Sequence, residues 1–211
     1  MSIEIQIQAL AQKYATQLQK NIETRVIEMQ QDDQSHHLIY RVLGIDLLEG
    51  QKIDEYQNTG RFLYNSAGRF LEEATKLCFK SAFPESGALR IPNTRGKRPK
   101  TFEIDCLVEN QAIEIKWRDA TTDGDHIQKE HTRLQVITEQ GFTPVRIMFY
   151  YPNRQQAIKI QQTLETLYRG ISGTIMLGIQ LGNLSKAAQG LISKLFSSKL
   201  LKRSNHESFA W

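Results

Sequence analysis

Apolar residues recur at three- and four-residue intervals near the start of the chain, at Ile3, Ile7, Leu10, Tyr14, Leu18, Ile22, Val26 and Met29. That spacing predicts one long amphipathic helix from about 3 to 31, with no Gly or Pro to interrupt it. The run Gln31–Ser35 breaks the pattern, and His36 to Ile45 reads as a second, short helix. A further helix is predicted from about Arg61 to Ala82, its apolar stripe formed by Leu63, Ala67, Phe70, Leu71, Ala74, Leu77, Cys78 and Ser81. After Ala82 come Phe83–Gly87, rich in helix breakers, and a loop from Ile91 to Lys100 marked by Pro and Gly. From Thr101 the period shortens to two. Phe102, Ile104, Cys106 and Val108 fall on one strand face and Glu103, Asp105 and Leu107 on the other. A turn at Glu109-Asn110 leads to a second strand, where Ile113, Ile115 and Trp117 alternate with Ala112, Glu114 and Lys116. Asp125 is placed to cap a helix running from His126 to about Gln140 and closed by Gly141, and Thr143 to Tyr151 is another strand. Hairpin, helix and strand in that order predict a β-α-β crossover, with the third strand parallel to its neighbour. Beyond it, Gln155–Arg169 and Leu184–Leu201 are amphipathic segments separated by a less regular, Gly-punctuated stretch.

These elements make an α/β protein: a mixed central sheet flanked by helices, with additional helices at both termini. The 211 residues suit one domain, with a helical N-terminal region (1–59), a core (60–151) and a helical C-terminal region (152–211). A net charge of +4 is a mild basic excess, compatible with nucleic acid without requiring it. Cys78 and Cys106 lie on apolar faces with no Cys-x-x-Cys spacing, so they read as small buried hydrophobes in a reducing cytoplasm. No signal peptide, membrane-spanning run or Gly-x-x-x-x-Gly-Lys-Ser/Thr phosphate loop is present, which points to a cytoplasmic protein with no membrane and no nucleotide cofactor.

The candidate chemistry sits in the hairpin. A two-residue turn pairs Val108 with Gln111, and counting outward sets Asp105 opposite Glu114. Side chains so paired are roughly 5 Å apart at Cβ, and two carboxylates that close repel unless a proton or cation separates them. Hard oxygen ligands suit Mg²⁺. Lys116, on the same face, is within reach of whatever the metal holds, where an ammonium orients water and stabilises charge on a phosphate. Phosphodiester hydrolysis uses all three groups. An ordinary surface hairpin with a Glu103–Lys116 ion pair is the bland alternative. His36 and His37, adjacent on a helix, are expected to face different ways, which argues against a shared metal there.

Basic residues cluster nearby. Arg95, Lys97, Arg98 and Lys100 lie in the loop entering the Asp105 strand, where phosphate contact is expected. The polar stretch after Trp117, with Arg118, Thr121, Thr122, Asp123 and His126, is suited to approach DNA, as is the start of the following helix. There Lys129 and Arg133 are like charges at i,i+4, a spacing that calls for an anion between them and favours a nucleic-acid face.

Asp105, followed after eight residues by Glu114-Ile115-Lys116, resembles the metal-site signature of the PD-(D/E)xK nuclease superfamily, with Ile104 where the family often has Pro. That likeness spans roughly 60–151. Within the superfamily, the run from Ile113 to His126 is similar to ApaLI-type restriction enzymes. The resemblance implies a restriction-endonuclease-like fold and a type II restriction endonuclease that cuts double-stranded DNA with Mg²⁺, at a GTGCAC-like site. It implies Asp105, Glu114 and the Ile115 carbonyl as metal ligands and Lys116 as the residue positioning water. It also implies a supporting glutamate from the preceding helix. Glu73, on the flank of the stripe, is the expected residue, with Glu72 placed in solvent. A palindromic site cut on both strands implies a C₂ homodimer. A repair or junction-resolving nuclease, or a DNA-binding protein on the same fold without catalysis, are the rival readings.

Overall fold

The computed structural model describes residues 2–118 and 125–177, with Asp125, His126 and Leu177 described by their main chain alone. Five strands form one mixed sheet in the order β1 (Gly87–Pro92), β2 (Thr101–Val108), β3 (Gln111–Lys116), β4 (Thr143–Met148) and β5 (Thr174–Leu177). β1, β2 and β3 run antiparallel in succession, and β3, β4 and β5 are parallel. This is the expected mixed α/β architecture. The parallel pairing of β3 with β4 follows from the crossover through α4 (Asp125–Glu139), because a helix returns the chain to the end of the sheet from which it left. α5 (Gln155–Gly170) performs the same return between β4 and β5.

Burial follows the alternation along β2, where Phe102, Ile104, Cys106 and Val108 are buried and Glu103 is exposed. β3 does not alternate: Ala112 through Ile115 are all buried, since the strand has a neighbour on each edge and helix cover. Ile91, Phe102, Ile104 and Ala112 of the sheet pack with Val136 and Ile137 of α4 in one apolar cluster. Each such side chain contributes about 1.5–3 kcal/mol by leaving water. The hairpin turn is the two-residue one expected, Val108 pairing with Gln111, and Glu109 adopts a positive φ of 54° to close it. Cys78 and Cys106 are both free and buried, as their apolar settings predict.

By compactness the chain divides into a unit of Met1–Ile7 with Leu71–Trp211 and a helical unit of Gln8–Phe70. Three helices precede the sheet: α1 (Ile3–Met29), α2 (His37–Val42) and α3 (Leu47–Ala82). α3 begins well before the expected Arg61. Asp46 caps the earlier start by accepting the Glu49 N–H at 2.9 Å. Gly50 has a packing reason to be there, because a Cβ on it would meet the Tyr40 ring at 2.8 Å. β1 and β5 were not expected from the sequence. The Leu184–Leu201 segment lies outside the described residues. Among the described residues no helix is long and apolar enough to cross a membrane.

Candidate active site

The β2–β3 ladder runs Val108↔Gln111, Leu107↔Ala112, Cys106↔Ile113, the register that directs Asp105 toward Glu114. Beyond Cys106 the side chain of Asp105 intervenes: its Oδ2 accepts the Ile115 N–H at 2.7 Å, taking the place of a main-chain partner. The two carboxylates have opposite electrostatic fates. Burial, and then the charge of Glu114, push the Asp105 carboxyl up to about 6, against the opposing pull of the Ile115 N–H and Lys116. Burial also opposes ionisation of Glu114, but Arg133 and Lys116, with Arg146 behind them, outweigh it and hold that carboxyl low. One acid is thus kept charged by its cations while the other sits near neutrality in want of one.

Glu114, with its side chain 10% exposed, is held by Lys116 at Oε1 and by Arg133 at Oε2. Arg133 reaches it from α4, and its guanidinium also donates to the Glu103 carbonyl at 3.1 Å and contacts Glu130 at 3.4 Å. Glu130 in turn accepts the Tyr168 hydroxyl at 2.8 Å and meets Arg146 at 3.4 Å. Arg146 stands beside Glu114 in the parallel register. Glu130 and Arg133 of α4, Arg146 of β4 and Tyr168 of α5 therefore back the hairpin together. None but Arg133 was expected to contribute, and its role differs from the one expected. The anions that Arg133 meets are the protein's own: it is buried among glutamates, not displayed on an outer face, while Lys129 is exposed. The signal for Arg146 was present in the sequence, a charge in the middle of the apolar strand Thr143–Met148 that required a buried partner.

The Glu103–Lys116 pair of the bland hairpin does not form. Glu103 pairs with Arg90 of β1 at 3.1 Å, and Lys116 turns to Glu114. On α3 the buried residues are Ala74, Thr75, Cys78 and Phe79, a stripe rotated from the one expected. About this stripe Glu72 lies on the flank, roughly 90° from its centre, and Glu73 roughly opposite. Glu72 is accordingly partly buried and not in solvent; it pairs with Lys76, and its charge adds to those raising Asp105. Glu73 is partly buried and has interactions of its own.

In the basic loop, Lys97, Arg98 and Lys100 are exposed. Asn93 organises this segment, accepting the Arg95 N–H at 3.0 Å and donating to the Pro99 carbonyl at 2.9 Å. Arg95 is tied to Glu139 at the end of α4 through its Nε at 2.7 Å. Arg118 is partly buried with interactions of its own. Thr121, Thr122 and Asp123 lie outside the described residues, as does the side chain of His126.

The family model described as ApaLI-like restriction endonuclease matches residues 1–188. The chain belongs to the ApaLI-like restriction endonuclease family. The match takes in the N-terminal helices and α5 as well as the hairpin, so the ApaLI-like likeness is wider than the 60–151 segment that carries the acid, acid and lysine. Comparison with curated proteins and with solved structures gives no match. Membership of the ApaLI-like family makes this chain a nuclease that binds DNA, on a mixed α/β fold consistent with a restriction-endonuclease-like core.

Proposed function

We propose that the protein is a type II restriction endonuclease of the PD-(D/E)xK kind, cutting both strands of duplex DNA at a palindromic site with Mg²⁺ and acting as a homodimer. The observation that carries this reading is the divergence of Asp105 and Glu114: a hard-oxygen pair, one half of which is pushed up to about 6 by burial and by its neighbour. A divalent cation relieves that repulsion, so the donor set fits the metal. Asp105, Glu114 and the Ile115 carbonyl would hold it. When bound, Mg²⁺ supplies charge stabilisation at the phosphate and an acidified water.

The remaining work falls to this chain's own side chains. Arg133 keeps Glu114 ionised and fixed in orientation, so the carboxylate is ready for a cation without rearranging. Lys116 neutralises Glu114 in the metal-free chain, and its flexible stem lets the ammonium turn toward the attacking water and the phosphate. Glu72, by its charge at Asp105, is the better placed supporting acid, with Glu73 the neighbour it displaces from that role. Lys97, Arg98 and Lys100 contact phosphates. Arg118 to His126 and Lys129 approach the bases. A GTGCAC-like site is the recognition expected of an ApaLI-type enzyme.

The test is digestion of a long DNA with purified protein and Mg²⁺, compared with Asp105→Asn. Discrete fragments from the wild type and none from the variant, which still binds DNA, support the proposal. A smear reassigns the protein to a non-specific nuclease, and cutting confined to branched substrates to a junction enzyme. An Asp105→Asn protein that cuts at the wild-type rate removes the site assignment altogether.

A further inference from the structure

The helical unit carries a second concentration of metal-ligating side chains, on residues that have no part in the hairpin chemistry. His36 Nε2 and His37 Nε2 converge on one oxygen, Asp54 Oδ2, at 2.7 and 3.0 Å. Adjacent histidines were expected to diverge on a helix. They converge although His36, the residue before α2, keeps helical dihedrals, and the two rings stand 4.4 Å apart at 61°. The Tyr40 hydroxyl donates to the other oxygen, Asp54 Oδ1, at 2.9 Å, which fixes the carboxylate from behind. One donor atom from each of His36, His37 and Asp54 lies within 4.8 Å of the others. All three border a cavity of 590 Å³.

We propose that His36, His37 and Asp54 form a binding site for a borderline divalent transition metal of the Zn²⁺ class, separate from the acidic Mg²⁺ site and with its fourth position open to the cavity. Two imidazoles and one carboxylate are a donor set that Zn²⁺ takes, and that Mg²⁺, which favours oxygen alone, does not. In a tetrahedral site with ligands at about 2.0–2.1 Å, donor atoms are roughly 3.3 Å apart. The two imidazole–carboxylate separations, 2.7 and 3.0 Å, need to open by roughly 0.3–0.6 Å for the ion to enter. The carboxylate is already oriented, with Oδ2 taking both imidazoles and Oδ1 the Tyr40 hydroxyl. The second observation concerns His37. It is 5% exposed, and its Nδ1 is buried without a hydrogen-bond partner in the structure. With no competing donor at Nδ1, the imidazole can carry its proton there and present the Nε2 lone pair to a metal. Such an ion joins the start of α2 to α3, two elements otherwise held here by side-chain hydrogen bonds.

Metal entry balances without any further reagent. A neutral imidazole that donates Nε2–H to Asp54 moves that proton to Nδ1 as Nε2 takes the metal, and only a protonated imidazole releases its extra proton to buffer. Calorimetric titration of the full-length, chelator-stripped protein with Zn²⁺, in excess Mg²⁺ and in two buffers of different ionisation enthalpy, reads both stoichiometry and proton release. One ion per chain is expected, with little proton release where the histidines are neutral and more as the pH is lowered, and Co²⁺ in its place should give the intense visible absorption of a tetrahedral site. His36→Ala, at a half-exposed position that tolerates truncation, should weaken Zn²⁺ at least tenfold, and Asp54→Asn should do likewise. Asp105→Asn should leave it unchanged. Should His36→Ala and Asp54→Asn bind Zn²⁺ as the wild type does, or the wild type take up none, the site is a hydrogen-bonded helix clasp only. Loss of Zn²⁺ binding in Asp105→Asn alone would instead place the ion at the hairpin.

Discussion

Two sets of cations in this molecule look alike in sequence and behave as opposites in the fold. Lys97, Arg98 and Lys100 lie in a loop that leaves them exposed, whereas Arg133 and Arg146 are 7% and 6% exposed and committed to glutamates. An exposed ammonium exchanges water for phosphate at little cost, which suits a surface that must bind and release DNA. A buried guanidinium cannot be released without leaving a carboxylate unpaired, so it suits a part that must never move. Charge alone therefore does not identify a DNA contact; burial decides whether a cation is open to a phosphate or is taken up by the protein's own acids.

The comparison breaks most visibly at Arg133. Arg133→Ala leaves Glu114 and Glu130 short of a buried partner and should destabilise the protein by about 3–5 kcal/mol, read as a lower denaturant midpoint. Arg133→Lys should recover only part of this, because a point charge cannot bridge Glu114, Glu130 and the Glu103 carbonyl at once. Lys97→Ala and Arg98→Ala should stay within about 0.5 kcal/mol of wild type in the same assay. Equal losses in the two sets would erase the distinction.

Asp105 gives the next largest effect. Its folded-state value of about 6 lies above the ordinary 3.8, so its ionised form disfavours the fold. The penalty is absent below the ordinary value, grows as pH rises through about 6, and reaches about 3 kcal/mol at neutral pH. Metal-free protein should lose stability from this group as pH rises from the ordinary 3.8 to about 6 and level off above it, and Asp105→Asn should flatten that limb. Mg²⁺ at pH 7.5 should raise the melting temperature of the wild type and leave that of Asp105→Asn nearly unchanged. A pH profile identical in the two proteins would mean Asp105 is not the strained partner.

The loop's own signature is ionic. Replacing Lys97 and Arg98 together should lower the slope of log affinity against log salt by roughly one unit for each phosphate no longer neutralised, on cognate and random duplexes alike. A double variant that keeps its salt slope but loses cognate preference would turn the loop into a base reader. Arg95 tests the boundary between the two sets, being tied to Glu139 yet half exposed. Arg95→Ala should cost less than about 1 kcal/mol of stability, as exposed pairs do, and a larger loss would move it into the buried class.

The hairpin and the crossover were legible because the period-two pattern, the turn length and the β-α-β order each leave local marks in the sequence. Asp105, Glu114 and Lys116 followed from register counting alone. What stayed hidden depends on rotation and distance. The start of α3 was obscured by glycines, of which Gly50 serves the Tyr40 contact. Its stripe was misplaced because Thr75 and Phe79 were left out, which sent Glu72 into solvent. Glu130, Arg146 and Tyr168 come from three separate elements, and only the folded sheet brings them to Glu114. β1 and β5 are short strands at the sheet edges, and β1 is mostly exposed, so neither imprints a strong pattern. His36 and His37 were misjudged because the angle between adjacent helix positions was taken to fix the rings, whereas both turn to one carboxylate.

The register between β3 and β4 also bears on how the molecule comes to maturity. Their alignment, Glu114 beside Arg146 and Lys116 beside Met148, joins segments that meet only after α4 has been made and folded back. A slip of one residue would turn Glu114 to the other side of the sheet and strand a buried negative charge away from Arg133. The ion network therefore works as a proofreader of strand alignment as well as a support for chemistry.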